Sequence, residues 1–579
     1  MHGYQNSDPN SKAGGVELRL GFLNIPLAKA IRETWRQGYR WSDLFADLGS
    51  GLTICIIAIP MTMAVAIACG IQPVHGLYGA IIAGPLIGLL GGSRLSVSGP
   101  VAELAVLIYP VVYQFGFGGV MLATWMAGIM LLIMGLGKLG RVIEFIPYPV
   151  TTGFIAGTGV VICVLQIKDF FGLTLLTQPK YFLDRLCGLV EAFPSIKLGD
   201  TTVGIVTLGV MMIWPRFKLP VPGHLIAMIV GSAIGVGLPL LKPEWGVATI
   251  GSQYGGIPQA LPELLSFSHP LDLDTIRILF GSAFAIAMLC SIKALLCAVV
   301  LDGMTGTKHD PNAELVAHGI GNLVLPFLGG LTSTSALSRS VANLRVGARS
   351  PISAVVHGIS ILLVVLAFAP IFSYLPMAAL SALLLIAAWN IFDLKHCLQI
   401  VRVGTRSDVA VLLICFGLTV LVDMVIAVGV GMVLAALLFM KQMANMTGGR
   451  WLLEASNADM HKHLPEDVMV YEISGPLFFG ATEKAMSTLR EHSSGLRVVI
   501  LQMRGVPTLD ISGVVALKSA LESLQNKRIF VILSGVQPQP REVLLKAGLE
   551  EKPNRLAMCE DMEESLDLAR RKRPLGSDL

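Results

Sequence analysis

Charged side chains are scarce in this sequence. Asp, Glu, Lys and Arg account for 14% of the 579 residues and hydrophobic residues for 54%, whereas soluble domains carry about 25% charged residues. With a mean hydropathy of +0.70, the composition excludes a soluble globular protein and indicates a polytopic membrane protein. The net charge is only +4, and the basic residues lie mostly in short loops, so we expect no nucleic-acid-binding patch.

Several sequence signatures are also missing. The nine cysteines show neither metal-ligand spacing nor a disulfide framework, so we expect no metal site and no cofactor. A Walker motif is absent, which argues against a nucleotide-driven pump, and no pattern points to an enzyme. The first forty residues are polar and lack the apolar segment of a cleavable signal peptide.

Two short stretches interrupt the hydrophobic pattern in the same way. Residues 91–100 (GGSRLSVSGP) and 329–339 (GGLTSTSALSR) each end an apolar segment with a glycine pair, continue through a Ser-rich extended stretch and open a new apolar segment. Paired breaks of this kind in two hydrophobic halves mark transporter binding sites, and each would aim a helix N-terminus at the bilayer midplane, which favours an anion. We favour this interpretation over two ordinary surface loops, because Arg339 lies inside the second stretch.

The chain divides into four regions. Residues 1–45 are hydrophilic, with basic residues every four positions, and predict an amphipathic helix on the membrane surface. Residues 46–445 hold fourteen apolar runs, seven on each side of a polar loop, and an odd number in each half makes the two repeats inverted. Lys and Arg concentrate on one side, which places both termini in the cytoplasm. Residues 462–570 alternate strand and helix patterns and predict a small α/β domain, followed by a basic tail at 571–579.

Four short motifs occur in a fixed order along the chain, namely Pro60-Met61-Thr62-Met63-Ala64, Gly76-Leu77-Tyr78, Ser98-Gly99-Pro100 and Ser338-Arg339-Ser340. Together with the C-terminal domain they resemble the SulP family of anion permeases with a STAS domain, and within it the bacterial C4-dicarboxylate transporters. The resemblance covers roughly residues 41–570. It implies a polytopic α-helical membrane protein with 14 transmembrane segments in a 7+7 inverted repeat, core and gate domains, a C-terminal cytoplasmic α/β STAS domain and a homodimer.

The resemblance also implies that the anion binds between the two facing half-helices and the first and eighth spans. Arg339 would supply a fixed positive charge, because its planar fork donates two parallel hydrogen bonds to a carboxylate or sulfate, and Ser338 would donate a hydroxyl. Met61 stands where many relatives have glutamine and makes the site more apolar. The residues carried over to this site are Met61, Val65, Val101, Leu337, Ser338 and Arg339.

Two ionisable residues in the predicted spans depart from the family pattern. Relatives usually carry a glutamate in the eighth span, where this chain has Lys293, and the third span gains Glu103. An ionisable residue inside a span costs about 2.5–3.5 kcal/mol to insert and is therefore a functional candidate. We predict that the two form a swapped ion pair at the anion site. The alternative is that Lys293 alone reaches an interface or a watery cavity, and the coupling ion stays open between H⁺ and Na⁺.

The C-terminal domain contains residues 508–513 (TLDISG), which resemble the loop-to-helix junction of anti-sigma-factor antagonists. In those proteins the serine before the glycine is phosphorylated at a helix N-terminus, where a dianion is tolerated. Ser512 is therefore a candidate regulatory phosphosite, and the simpler interpretation is that it caps the helix. Cytoplasmic protein partners of the STAS domain are expected on the same grounds.

The leading hypothesis is secondary active transport of a small anion across a bacterial inner membrane by an alternating-access, elevator-like mechanism. The substrate expected from the resemblance is a C4-dicarboxylate such as succinate, fumarate or aspartate. The alternative within transport is a bicarbonate or sulfate permease or exchanger. An alternative of another class is a STAS-centred regulatory or scaffolding protein without transport, for which the Lys293 departure is the best support.

Overall fold

The computed structural model describes most of the chain in two compact units, Met1–Met432 and Val433–Leu579. The predicted segments at 1–26 and 573–579, and most of a predicted helix at 482–492, lie outside the described residues. The described residues are 27–143, 146–175, 182–217, 221–266, 273–422, 424–451, 467–478, 486, 489 and 496–572.

The described residues of the first unit form α-helices and one short β-pair, β1 (Ser98–Gly99) and β2 (Thr334–Ser335). The last helix, α18 (Met424–Met446), continues past the boundary at Met432 into the second unit. Three short 3₁₀ helices cover Phe193–Ser195, Trp214–Phe217 and Leu325–Leu328. The α-helices are α1 (Lys29–Arg36), α2 (Trp41–Ala68), α3 (Pro73–Leu90), α4 (Ala102–Leu136), α5 (Gly140–Ile143), α6 (Tyr148–Phe171), α7 (Phe182–Ala192), α8 (Leu198–Ile213), α9 (Gly223–Leu241), α10 (Ile250–Tyr254), α11 (Leu273–Thr305), α12 (Pro311–Val324), α13 (Leu337–Val346), α14 (Ile352–Phe372), α15 (Met377–Phe392), α16 (Leu394–Val403), α17 (Arg406–Leu421) and α18 (Met424–Met446).

These helices follow the predicted apolar runs. The long α4 covers two runs, because it kinks at Gly116, whose φ of 62° lies in the left-handed region that favours glycine. Within the described residues, ten helices are long and apolar enough to cross a membrane. The helix after the second break, α13, has only 10 residues, as expected for a half-helix.

The helices pack in two groups. In the first group α4 contacts α11 and α12, while α2 and α3 contact α14. In the second group α6 contacts α15 and α17, and α8 contacts α9 and α15. The grouping agrees with the core and gate domains that the family resemblance implies, and both sequence breaks lie in the first group.

The predicted N-terminal helix is present as α1 and is fixed to the first group by two ion pairs. Lys29 Nζ lies 3.5 Å from Asp310 Oδ2, and Arg94 Nη2 lies 3.2 Å from Glu33 Oε2. Trp35 on the same helix is exposed. Its position on a membrane surface stays a prediction.

The second unit is a five-stranded sheet with helices, in the strand order β3-β4-β5-β6-β7. β3 is antiparallel to β4, and the other neighbours are parallel. All five residues of β6 are buried, as expected for an apolar strand covered on both faces. The sheet begins at Gly448, before residue 462 where the sequence places the start of this domain. The elements are β3 (Gly448–Trp451), β4 (Val468–Ser474), β5 (Val498–Gly505), α19 (Ile511–Asn526), β6 (Phe530–Ser534), α20 (Pro538–Lys546), β7 (Leu556–Cys559) and α21 (Met562–Arg571).

Candidate functional site

The two sequence breaks meet in space. β1 and β2 pair antiparallel, with Ser98 opposite Ser335 and Gly99 opposite Thr334, and all four residues are buried. Each break therefore satisfies backbone hydrogen bonds of the other, as non-helical backbone at membrane depth requires. The two breaks therefore face each other, as the family resemblance implies for the half-helices that follow them.

Each strand leads almost directly into a helix whose N-cap residue offers no side-chain acceptor. α4 starts after Val101 and α13 starts after Ala336, and neither cap residue accepts a hydrogen bond through its side chain. The first N–H groups of a helix have no partner within the helix, and a helix N-terminus carries about half a positive charge. Two such ends beside one β-pair form a setting that favours an anion.

Arg339, in the first turn of α13, is only 3% exposed. Its Nη2 donates a hydrogen bond to the carbonyl oxygen of Pro100 in the other break, at 2.8 Å. Gly99 leaves room for the guanidinium, because a Cβ at that position would lie 2.8 Å from Nη1. Among the described residues, Nη1 has no hydrogen-bond partner. A buried charged donor without a partner is costly, so Nη1 is a donor available to an anion.

Glu103 and Lys293 form an ion pair between Oε1 and Nζ. Glu103 lies in the first turn of α4 and Lys293 lies within α11, and the two residues are 6% and 9% exposed. Arg339 is close enough to Glu103 to interact with it electrostatically. The predicted swapped pair is confirmed, and Lys293 does not reach an interface alone. The part of the pair in anion binding stays a prediction.

A buried polar scaffold holds the β-pair, and the sequence prediction did not include it. His318 Nε2 lies 3.1 Å from Ser335 Oγ and 3.5 Å from Ser98 Oγ. Glu314 Oε2 accepts hydrogen bonds from the backbone N–H groups of residues 92–93, at 2.9 and 3.0 Å. Both extended stretches are therefore tied to one helix, α12.

Asn322 extends the same scaffold. Its side-chain amide donates to the carbonyl oxygen of Ser333 at 2.9 Å, and its amide oxygen accepts from the N–H of Ser333 at 3.0 Å. Glu314, His318 and Asn322 stand four residues apart in an apolar segment, so they share one face of α12. That spacing is the sequence signal from which the scaffold could have been found.

The other predicted residues are more scattered. Met61 is half-buried and packs beside Met211 and Ala227 of α8 and α9, and Val65 is fully buried in the main core. Leu337 is half-buried, whereas Ser338 is exposed at the start of α13. The predicted residues that come together beside the β-pair are Val101, Glu103, Lys293 and Arg339.

In the second unit the helix cap is Asp510. Its Oδ1 accepts a hydrogen bond from the N–H of Gly513 at 2.7 Å, which is the usual geometry of an aspartate N-cap. Ser512 is the second residue of α19 and is half-buried. The interpretation of Ser512 as the cap is therefore wrong, and its phosphorylation stays a prediction.

Comparisons with known proteins agree with this architecture. Residues 44–415 match the sulfate permease family, and residues 459–566 match the STAS domain. A Bacillus subtilis protein named "Putative sulfate transporter YvdB" is 36% identical over 515 residues, which cover 89% of this chain and 95% of the relative. The protein "Bicarbonate transporter BicA" of a Picosynechococcus species is 30% identical over 535 residues, which cover 88% of this chain and 91% of the relative.

The solved structure of the murine Slc26a9 anion transporter in the inward-facing state superposes on this chain with a TM-score of 0.84. It covers 97% of both chains at 18% identity, so this likeness shows the fold alone. The family match extends over more than half of the chain and includes both breaks, Arg339 and the Glu103–Lys293 pair. The chain is a multi-pass membrane protein that belongs to the sulfate permease family and carries a STAS domain.

Proposed function

We propose that this protein is a secondary transporter of a small inorganic oxyanion, sulfate or bicarbonate, across a bacterial plasma membrane. The observation that carries the proposal is Arg339, a buried guanidinium with one nitrogen that has no partner among the described residues. It lies beside the N-termini of α4 and α13, whose N-cap residues offer no side-chain hydrogen bond. A guanidinium edge and backbone N–H groups are the donors that recognise oxyanions. In this proposal Arg339 is the main charged ligand, and the N–H groups that open α4 and α13 assist it.

The charge inventory favours a compact oxyanion over a C4-dicarboxylate. The two carboxylates of succinate stand at opposite ends of a four-carbon chain, so a single guanidinium can meet only one of them directly. Lys293 is already paired with Glu103, which leaves Arg339 as the cation available beside the β-pair among the described residues. Met61 packs beside Met211, so its apolar side chain gives no argument for a dicarboxylate. The relatives named above are described as sulfate and bicarbonate transporters.

The ion pair between Glu103 and Lys293 removes the main support for the regulatory alternative. That alternative rests on Lys293 as a damaging departure from the family pattern. Because Glu103 compensates the charge of Lys293, and because β1, β2 and Arg339 still meet, the departure is consistent with a working transport site. A homodimer with cytoplasmic termini and an elevator-like motion between the helix groups complete the proposal.

Uptake into proteoliposomes tests the substrate. The purified protein is reconstituted, and entry of radiolabelled sulfate, bicarbonate and succinate is compared with that in empty vesicles. We expect uptake of sulfate or bicarbonate, loss of that uptake in Arg339→Ala, and retention in Arg345→Ala. Arg345 is a matched control because it is an exposed arginine at the other end of the same helix. Uptake of succinate alone, or uptake that survives Arg339→Ala, would overturn the proposal.

A further inference from the structure

We infer that Lys293 is a resident cation that neutralises Glu103 permanently, so that anion transport needs no co-transported Na⁺ or proton. The inference deepens the proposed function and rests on it. It concerns how the site balances charge rather than which anion it binds.

The geometry of the pair makes the neutralisation permanent. Glu103 belongs to the half-helix that opens after the first break, and Lys293 belongs to α11 in the second half of the unit. Both residues are more than nine-tenths buried and their charged atoms are in direct contact. Separating a buried pair leaves two uncompensated charges, and that is strongly unfavourable.

Without Lys293, the site would contain its own anion. Glu103 lies within electrostatic reach of Arg339, so an unpaired carboxylate would compete with the substrate for that arginine. A mobile cation would then have to bind with the substrate to neutralise Glu103. Lys293 supplies this positive charge as part of the chain itself, and Arg339 is left free for the substrate anion.

The other titratable groups around the pair do not replace this role. Cys297 lies one helical turn along α11 from Lys293, and His357 of α14 is in electrostatic contact with Arg339. On α12, the Glu314 carboxylate is held by two backbone N–H groups, and His318 is engaged with the hydroxyl of Ser335. Of these groups, the Glu103 carboxylate is the one in contact with the Lys293 ammonium.

The rival role for Lys293 is that of a direct ligand, which adds its charge to that of Arg339 and attracts dianions. The two roles predict different behaviour when the charge is removed. If Lys293 is a direct ligand, removing its charge should lower the uptake of sulfate strongly and that of bicarbonate little, whichever cation is present. If Lys293 is a resident cation, removing its charge should lower the uptake of every anion, and added Na⁺ or protons should restore that uptake.

The experiment measures anion uptake by the full-length protein in proteoliposomes. Na⁺ is replaced by choline, and the pH gradient and the membrane potential are clamped at zero. We expect wild-type uptake, driven by the anion gradient alone, to change less than about twofold. Lys293→Met keeps a long side chain without the charge, and its uptake should fall about tenfold or more, a change of about 1.4 kcal/mol, unless Na⁺ or acid is supplied. Removing both charges, in Glu103→Gln with Lys293→Met, should restore cation-independent uptake.

Three outcomes would overturn the inference. They are wild-type uptake that requires Na⁺ or a proton gradient, a Lys293→Met variant that stays active and independent of cations, and a loss in that variant confined to sulfate. The wild-type measurement needs no mutant, so the inference stays testable even if Lys293→Met does not fold. Absence of wild-type uptake of sulfate and bicarbonate would refute the proposed function, whereas uptake that depends on a cation would refute this inference only.

Discussion

Substitution of Gly99 by alanine tests the position of Arg339 without removing its charge. The φ of Gly99 is outside the left-handed region, so alanine causes no backbone strain there. Its Cβ, however, would lie 2.8 Å from Nη1 and 3.2 Å from Nη2 of Arg339. The perturbation is therefore steric, and it acts on the guanidinium that we propose binds the anion.

The size of the effect follows from these distances. Non-bonded heavy atoms prefer separations of about 3.5 Å or more, so the guanidinium has to move by about 0.7 Å. A shift of that size is enough to take the 2.8 Å hydrogen bond to Pro100 out of hydrogen-bonding range. The same shift would break a hydrogen bond from Nη1, the nitrogen without a partner among the described residues, to a bound anion, and a hydrogen bond to a charged group contributes about 1.5–3 kcal/mol. The affinity for the anion should therefore fall by about 10- to 150-fold.

The assay is isothermal calorimetry of sulfate and bicarbonate binding to the purified protein, with thermal unfolding to show that the variant is folded. Gly281→Ala is the control, because Gly281 is an exposed glycine of α11 whose added Cβ would meet no atom within 4 Å. Alanine is favoured over glycine in a helix, so the control should bind normally and be at least as stable. A Gly99→Ala protein that binds the anion within about twofold of wild type would show that the contact of Arg339 with the first break is irrelevant to binding.

Two further substitutions test the scaffold and the helix cap. Replacing His318 by leucine should lower the stability of the membrane unit by about 1–3 kcal/mol, because the buried hydroxyls that it contacts lose a partner. Thermal unfolding measures this loss. The control, leucine at the exposed His396, should show no such loss. Replacing Asp510 by alanine should destabilise the second unit by about 1 kcal/mol, whereas Ser512→Ala should be nearly neutral. Chemical denaturation measures both effects, and equal losses of stability would contradict the assignment of Asp510 as the cap.

The sequence predicts those parts of the site that are marked by a motif repeated in both halves or by a charged residue inside an apolar span. A glycine pair followed by serines and a new apolar run is visible in each half, and its repetition predicts that the two stretches meet. Glu103 and Lys293 are predictable as partners because a charge inside an apolar span needs compensation. Each of these arguments needs only the residue types and the order of the spans.

The missing parts depend on which side chains face each other across helices. From the sequence alone, His318 and Glu314 could equally lie on an exposed face of α12. Only the packing of α12 against α4 and α3 brings them to the two breaks. The resemblance to the family places Met61 at the anion site, but Met61 is half-buried and packs beside Met211 and Ala227 of α8 and α9. The cap of α19 depends on a shift of two residues, and sequence patterns do not fix helix ends that closely.

The two halves share a backbone plan but divide the charges unequally. Among the described residues, the two cations beside the β-pair, Lys293 and Arg339, come from the second half. The first half supplies the acceptors, the Glu103 carboxylate and the Pro100 carbonyl. Each half alone would therefore contain a buried charge without a partner, which costs several kcal/mol. The two halves give similar frames, and this division of charge makes the assembled site dependent on contact between both halves.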